Sequence, residues 1–337
     1  MSETVRVGLI GCGAIARRHI EWFLERPECE VVALCDVSRP AAEEKRAMVN
    51  AIRPGAGIAL FTNYGRLLEC ADLDGVAVLL PHALHHEVTL AAIQAGKHVL
   101  VEKPMAVSSR QAREMIDAAR RGARVLALGY QRSYLPEYAY VRRMVAAGEL
   151  GKLQFVTAHL EQSWCRHVKE RVAARGWKTD PIAAGGGQLV DTGSHTLAAL
   201  LDVTRLTPAE VYAVINHCDL PVDVNSSLVV RFAEGAQASI SIGGFGHSVT
   251  ESIRVVGEEH SARIFFRTVR EQALEIDGAP VDAPSAIPRS TPNANFVDAV
   301  LGKTDVTADG TLGLRVAQLT EAAYASACSD RPVKIKS

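Results

Sequence analysis

The chain has 337 residues, 48% of them hydrophobic and 22% charged, with a formal net charge of −1. That length allows two domains with ample core, and the near-neutral balance gives no electrostatic reason to expect nucleic acid or an anionic membrane as partner. Seven cysteines, none spaced as C-x-x-C, read as reduced thiols rather than a disulfide framework or a zinc site.

The N-terminus runs directly into a strand-like segment, without a signal peptide, and no apolar run is long enough to span a bilayer. The expectation is a cytoplasmic protein without a metal. Residues 5–10 are a β-branched run suited to a buried parallel strand. It ends in Gly11-Cys12-Gly13-Ala14-Ile15-Ala16, and a helical pattern follows through Ile20, Phe23 and Leu24. Strand, glycine turn and helix in that order let the backbone approach a pyrophosphate at the helix N-terminus. Gly11, Gly13, Ala14, Ile15 and Ala16 are therefore candidate cofactor contacts. A second buried run, 30–36, ends in Asp36, twenty positions after Ala16, where a dinucleotide fold needs a carboxylate for the ribose hydroxyls. Asp36 favours NAD, because a carboxylate repels a 2′-phosphate. Arg39 could pair with that phosphate, so NADP stays open.

The alternation continues with a helix at 40–49, a strand at 58–61, a helix at 64–70 and a buried strand at 75–80 stopped by Pro81. A helix at 82–95, a strand at 98–101, a helix capped by Ser108 and Ser109 and a strand at 124–128 follow. Such regular alternation predicts a doubly wound parallel sheet, with its ligand beyond the carboxyl ends of the strands. Two of those ends stand out: Pro81-His82-Ala83-Leu84-His85-His86 and Glu102-Lys103-Pro104. A lysine directly after a buried strand could polarise a substrate oxygen; a solvated loop lysine is the commoner fate.

Tyr130-Gln131-Arg132 leave the last of these strands, and a helix at 136–147 and a strand at 152–162 follow. Next come Gly176-Trp177-Lys178-Thr179-Asp180-Pro181 and the stretch Gly185-Gly186-Gly187-Gln188-Leu189-Val190-Asp191-Thr192-Gly193-Ser194-His195, with an apolar tail. A helix from about Gln188 would set Asp191 and His195 one turn apart on one face. They read either as a capping carboxylate and a satisfied core imidazole, or as a proton-handling pair. Strands are expected at 211–216, 227–232, 238–242, 252–256 and 262–266, with closing helices at 295–300 and 311–326. A run of strands after an αβ half implies a separate, largely antiparallel sheet. A sheet face left bare would be a self-association surface; the alternative is that helices cover it.

Gly11-x-Gly13-x-x-Ala16, Pro81-x-x-x-His85-x-Glu87, Ala95-Gly96-Lys97-His98-Val99 with Glu102-Lys103-Pro104, and the Gly-Gly-Gly-x-x-x-Asp191-x-Gly-x-His195 element come in a telling order. The chain resembles the glucose–fructose oxidoreductase, inositol dehydrogenase and MocA (Gfo/Idh/MocA) family over nearly its whole length. The resemblance implies an N-terminal NAD(P)-binding Rossmann domain, 1–129, and a C-terminal α+β domain, 130–337. The second domain would hold substrate on a large, mainly antiparallel open sheet that mediates homodimers or homotetramers, its last helix (about 310–328) packing back on the body. The implied activity is that of an NAD(P)-dependent dehydrogenase acting on a secondary alcohol of a sugar, inositol or related polyol. Catalytic roles fall on Lys103, Asp191 and His195, with His195 as base, Asp191 orienting it and Lys103 holding the reacting oxygen. At the two strand ends, Pro81, His82, His85, Glu102 and Lys103 join the candidate cofactor contacts. Tyr130, Gln131, Arg132, Trp164, Arg166 and Lys178 are candidate substrate contacts, and Arg132, Arg166 and Lys178 together would suit a carboxylate or phosphate.

Two departures from the family pattern bear on the site. Leu80-Pro81-His82 stands where Thr-Pro-Asn is common, and Ala198 where many members carry an aspartate. Two other readings are an NAD-dependent glycoside hydrolase with transient redox and a cofactor or ligand sensor without turnover. The intact Lys103, Asp191 and His195 argue against the sensor.

Overall fold

A computed structural model describes residues 4–69, 72–170, 176–268 and 271–336, and divides into two compact units. The first comprises Met1–Ala106, Arg110–Gly129 and Ser290–Thr311; the second Val107–Ser109, Tyr130–Arg289 and Leu312–Ser337.

In chain order the first unit holds β1 (Val5–Ile10), α1 (Ala16–Leu24), β2 (Cys29–Cys35), α2 (Arg39–Ile52), β3 (Ala59–Phe61) and α3 (Tyr64–Leu68). After these come β4 (Gly75–Val78), α4 (His85–Gln94), β5 (His98–Val101), α5 (Ser109–Gly122) and β6 (Leu126–Leu128). The six strands are parallel, in the order β3-β2-β1-β4-β5-β6. The order reverses between β1 and β4, the point where doubly wound sheets open a ligand crevice. Both faces are covered, which is why Val5, Val7, Leu9 and Ile10 are all buried and only Arg6 interrupts the apolar run of their strand. The expected third helix ends at Leu68, and its last residue, Cys70, lies outside the described residues. The expected helix from 82 is broken: His82–Leu84 form a single 3₁₀ turn after Pro81 before α4 begins.

The second unit holds α6 (Pro136–Ala146), β7 (Leu153–Glu161), α7 (Trp164–Glu170), a one-turn α8 (Pro181–Ala184) and a π-helical turn (Leu189–Gly193) that runs into α9 (Ser194–Thr204). Then come β8 (Pro208–Asn216), β9 (Asn225–Phe232), β10 (Gln237–Gly243), β11 (Thr250–Gly257), β12 (Ser261–Thr268), β13 (Glu271–Ile276) and β14 (Ala279–Val281). Past α10 (Pro292–Val300), the chain closes with α11 (Gly310–Ser329) and β15 (Val333–Lys334). The nine strands order as β14-β13-β12-β11-β7-β10-β9-β8-β15, with β7 and β10 parallel and every other neighbouring pair antiparallel. Along β9, Ser226, Leu228, Val230 and Phe232 are buried while Ser227, Val229 and Arg231 are exposed, the alternation of a sheet with one covered face. Helix α9 packs on β7 and β11. The opposite face exposes Phe155, Val214 and Val229 among Thr157, Ser239 and Ser241.

The expected domain boundary does not hold for 290–311. Phe296 and Val297 of α10 are fully buried in the core of Val5, Leu9, Ile20 and Phe23, and the rings of Phe23 and Phe296 meet edge-on at 6.3 Å. Burying two such side chains is worth about 2–3 kcal/mol each, enough to return this segment to the first unit. Among the described residues no helix is long and apolar enough to cross a membrane.

Candidate active site

In the first unit, β1 delivers Gly11 with φ +102°, where a Cβ would lie 2.3 Å from the Leu79 carbonyl oxygen, so only glycine lets the ends of β1 and β4 approach this closely. Gly13 differs: a Cβ there would meet nothing within 4 Å. It faces open space, flanked by exposed Ala14 and Ile15, while Ala16 is buried at the start of α1. Helix α1 has no side-chain cap and no acidic residue in its first turn, which leaves its positive end available to an anion. Asp36, at the end of β2, accepts the Cys12 N–H on Oδ2 and the Ser38 N–H on Oδ1, both at 2.8 Å. Its carboxylate is thereby fixed beside the glycine turn. Val37, the next residue, is 93% exposed. An open glycine turn, an uncapped helix end, a fixed carboxylate and an exposed apolar side chain fit the pyrophosphate, ribose and adenine of a dinucleotide. Burial pushes the Cys12 thiol up to about 12, so it lines the turn as a neutral group. Arg39 pairs with Glu43 one turn along α2, at 3.1 Å.

The strand-end residues divide. Pro81 and Lys103 are half-buried, and the Lys103–Pro104 peptide is cis. Glu102 turns inward: Oε1 meets His19 Nε2 of α1 at 2.9 Å, and Oε2 accepts the Lys103 N–H at 3.2 Å. Burial alone would raise the Glu102 carboxyl, but the hydrogen bond and charge of His19 hold it below the ordinary carboxylate value. His85 is fully buried, with Nδ1 2.7 Å from the Pro104 carbonyl oxygen and Nε2 2.8 Å from that of Leu80. Burial pulls its imidazole down, against the pull of the two carbonyls. The ring braces the ends of β4 and β5 against each other. His82 is buried with its ring 5.8 Å from that of His85. Of the residues expected as cofactor contacts, Glu102 and His85 spend polar side-chain atoms on hydrogen bonds within this unit, and His82 is buried beside His85.

In the second unit, Asp191 sits in the π-helical turn and His195 in the first turn of α9, so the expected helix begins with a widened turn of the kind enriched at functional sites. Asp191 is 2% exposed, and its Oδ2 accepts the Trp164 indole N–H at 2.8 Å and the Lys178 ammonium at 2.5 Å. His195 is half-buried, and the ring of buried Tyr130 stands edge-on to it at 6.0 Å. The glycine run before the turn is clasped by Asp223. Asp223 Oδ1 accepts the Gly187 N–H at 2.6 Å and the Tyr324 hydroxyl at 2.5 Å, Oδ2 accepts the Leu189 N–H at 2.7 Å, and its carbonyl accepts the Gln188 N–H at 3.0 Å. A Cβ on Gly187 would lie 2.0 Å from that carbonyl oxygen. Burial and the Asp223 charge push the Tyr324 phenol well above its usual value.

Asp223 and Tyr324 were not anticipated. The signal was present in Val222-Asp223-Val224, an acid between two valines, since a carboxylate set in an apolar triplet needs buried donors. The expected basic trio is not gathered. Arg132 is buried in an ion pair with Glu251 of β11 and lies 5.4 Å above the Phe266 ring; Lys178 is on Asp191; Arg166 is exposed on α7. Burial raises the Glu251 carboxyl, partly offset by Arg132. Trp164 is buried among Cys165, Val168, Val222 and Val224; Gln131 is exposed. Among the described residues no group of three or more His, Cys, Asp or Glu is placed to hold a metal ion.

Residues 5–130 match the oxidoreductase family, NAD-binding Rossmann fold (GFO/IDH/MocA), and residues 138–263 match the GFO/IDH/MocA C-terminal domain. D-glucoside 3-dehydrogenase of Escherichia coli (strain K12) is 30% identical over 283 residues, 81% of this chain and 74% of that one. The dTDP-3,4-didehydro-2,6-dideoxy-alpha-D-glucose 3-reductase of Streptomyces violaceoruber is 32% identical over 268 residues, 77% of this chain and 73% of that one. A solved levoglucosan dehydrogenase, in complex with NADH and L-sorbose, shares the fold with a TM-score of 0.86 at 20% identity, covering 99% of both chains. The dinucleotide-fitting turn, the two-sheet architecture and these matches together place the chain in the Gfo/Idh/MocA family of NAD-binding, Rossmann-fold oxidoreductases.

Proposed function

We propose that the protein interconverts a secondary alcohol and a ketone on a sugar, inositol or related polyol with NAD. The observation that carries the reading is the Asp191 carboxylate, fixed in the π-helical turn one turn before His195, in a chain whose first unit fits a dinucleotide. The named relatives act on ring-sugar positions, which supports this substrate class. In this reading His195 takes the hydroxyl proton as general base, since an imidazole titrates near neutral pH. Asp191 orients that ring and stabilises the imidazolium. Lys103 donates to the reacting oxygen and favours developing alkoxide character. The dinucleotide, when bound, supplies the two-electron oxidant or reductant.

Residues 1–129 would bind the dinucleotide and most of 130–337 the substrate. Asp36 supports NAD over NADP, because its fixed carboxylate opposes a 2′-phosphate and Arg39 is committed to Glu43. The exposed face carrying Phe155, Val214 and Val229 would join copies into a homodimer or homotetramer. The cysteines seen unpaired suit the reducing cytoplasm. Incubation of the purified protein with NAD and a panel of inositols and sugars, followed by absorbance of reduced nicotinamide, tests the reading. Net NADH formed with at least one of them supports it; product released without net NADH overturns it.

A further inference from the structure

We infer that Lys178 and Trp164 are positioning residues that act through Asp191, rather than contacts for the substrate. The inference rests on the reading of Asp191 and His195 as the proton-handling pair. Two donors from different elements converge on one carboxylate oxygen. The Trp164 indole N–H of α7 lies 2.8 Å from Asp191 Oδ2, and the Lys178 ammonium, from the short Gly176–Thr179 turn, lies 2.5 Å from the same atom. A carboxylate held at one oxygen from two directions cannot rotate about its Cβ–Cγ bond, so the position of Oδ1 is set as well.

Each donor is itself held. The Trp164 side chain is 4% exposed in an apolar cluster with Cys165, Val168, Val222 and Val224. The Lys178 side chain is 18% exposed, and its ammonium also lies 5.5 Å from the centre of the Trp177 ring. The third anchor is the main chain: the Asp191 N–H donates to the Gly187 carbonyl at 2.9 Å, and Asp223 fixes Gly187. A lysine meant to greet a substrate anion would present its ammonium to solvent, whereas this one is spent on a buried acid.

A double-mutant cycle on turnover tests the inference. Lys178→Met is expected to lower kcat about 100-fold, the cost of a misplaced reacting group, with KM for NAD unchanged. Lys178→Arg, which keeps a cationic donor, should restore much of the loss. Placed in an Asp191→Asn background, Lys178→Met should cost no more than about threefold, because the group it acts on has gone. Trp164→Phe, which removes only the N–H donor, should behave likewise with a smaller drop. Multiplicative losses in the double variant, with the substrate KM carrying the effect of Lys178→Met, would overturn the inference and make Lys178 a substrate contact. Full turnover by Asp191→Asn alone would instead overturn the functional reading on which it rests.

Discussion

The loop that carries Lys103 and the turn that carries Asp191 are built to one plan from different materials. In the first unit a buried carboxylate, Glu102, takes the Lys103 N–H and is itself held by His19; Gly129 makes room, since a Cβ there would lie 2.7 Å from Glu102 Oε1. In the second unit a buried carboxylate, Asp223, takes the Gly187 and Leu189 N–H groups and is held by Tyr324, with Gly187 making room. In both, side-chain chemistry is delivered by a backbone fixed from below. The difference lies in reach. Glu102 precedes Lys103 in the chain, while Asp223 acts across 36 residues on Gly187. The first anchor's carboxylate is a chain neighbour of the residue it holds, braced by His19 from 83 residues away, while the second anchor's carboxylate is itself brought in by the tertiary fold.

The comparison breaks most sharply at the residues being held. Lys103→Ala and His195→Ala should each lower turnover by about 10²–10⁴-fold, measured as NADH formation. Melting temperatures should stay near wild type, because neither side chain is fully buried. A variant of either that keeps full turnover would reduce its anchor to ordinary packing.

The glycines come next. Gly187→Ala drives a methyl into the Asp223 main-chain carbonyl, which cannot move without opening the clasp, so a loss of about 3 kcal/mol is expected in urea unfolding. Gly129→Ala meets the Glu102 carboxyl at 2.7 Å and the Glu102 Cα at 3.3 Å, and should cost less, about 1 kcal/mol, because relief asks a hydrogen-bonded side-chain end to shift rather than a main-chain carbonyl. Equal losses would mean that the two clasps are equally rigid. Asp223→Asn replaces one acceptor oxygen by a donor facing N–H and O–H groups, and should cost about 1–3 kcal/mol. Tyr324→Phe, which removes the hydroxyl bonded to Asp223, should cost about 1 kcal/mol.

The same contrast explains what was legible before the fold was known. β1, β2, β4 and β5 are buried along most of both faces, so each appears as a mainly apolar run, interrupted by Arg6 in β1 and Glu30 in β2, and β9 to β11 show the alternation of a half-covered sheet. Lys103 was readable because the strand, the acid and the lysine are contiguous. Asp191 and His195 were readable because their helical spacing is local. The widened turn between them was not: its approach is bonded by Asp223 and its Asp191 by Trp164, both from elsewhere in the chain. The buried pairing of Arg132 was hidden for the same reason: its partner Glu251 lies 119 residues on. Strands β13 and β14 were missed because Glu271–Ile276 and Ala279–Val281 carry little β-branched pattern and are defined by pairing with β12 and with each other.

The smallest expected effect asks whether the two units treat buried carboxyls alike. Glu102 is held below the ordinary carboxylate value because His19 outweighs the burial that would raise it. A depressed folded value stabilises the fold above the unfolded value, and that share is lost as pH falls through the folded one. Glu251 is shifted the other way, because burial outweighs Arg132. There the folded state keeps its proton longer, so stability declines as pH rises from the ordinary carboxylate value through the raised one. Urea midpoints of wild type, Glu102→Gln and Glu251→Gln, taken from pH 7 down to the acid limit of folding, separate the two. Glu102→Gln should fall short of wild type at neutral pH and converge with it in acid, while Glu251→Gln should gain on wild type as pH rises. Convergence of Glu102→Gln at neutral pH would show that the His19 bond does not outweigh burial, and that the Lys103 loop is held by its hydrogen bonds without the help of charge.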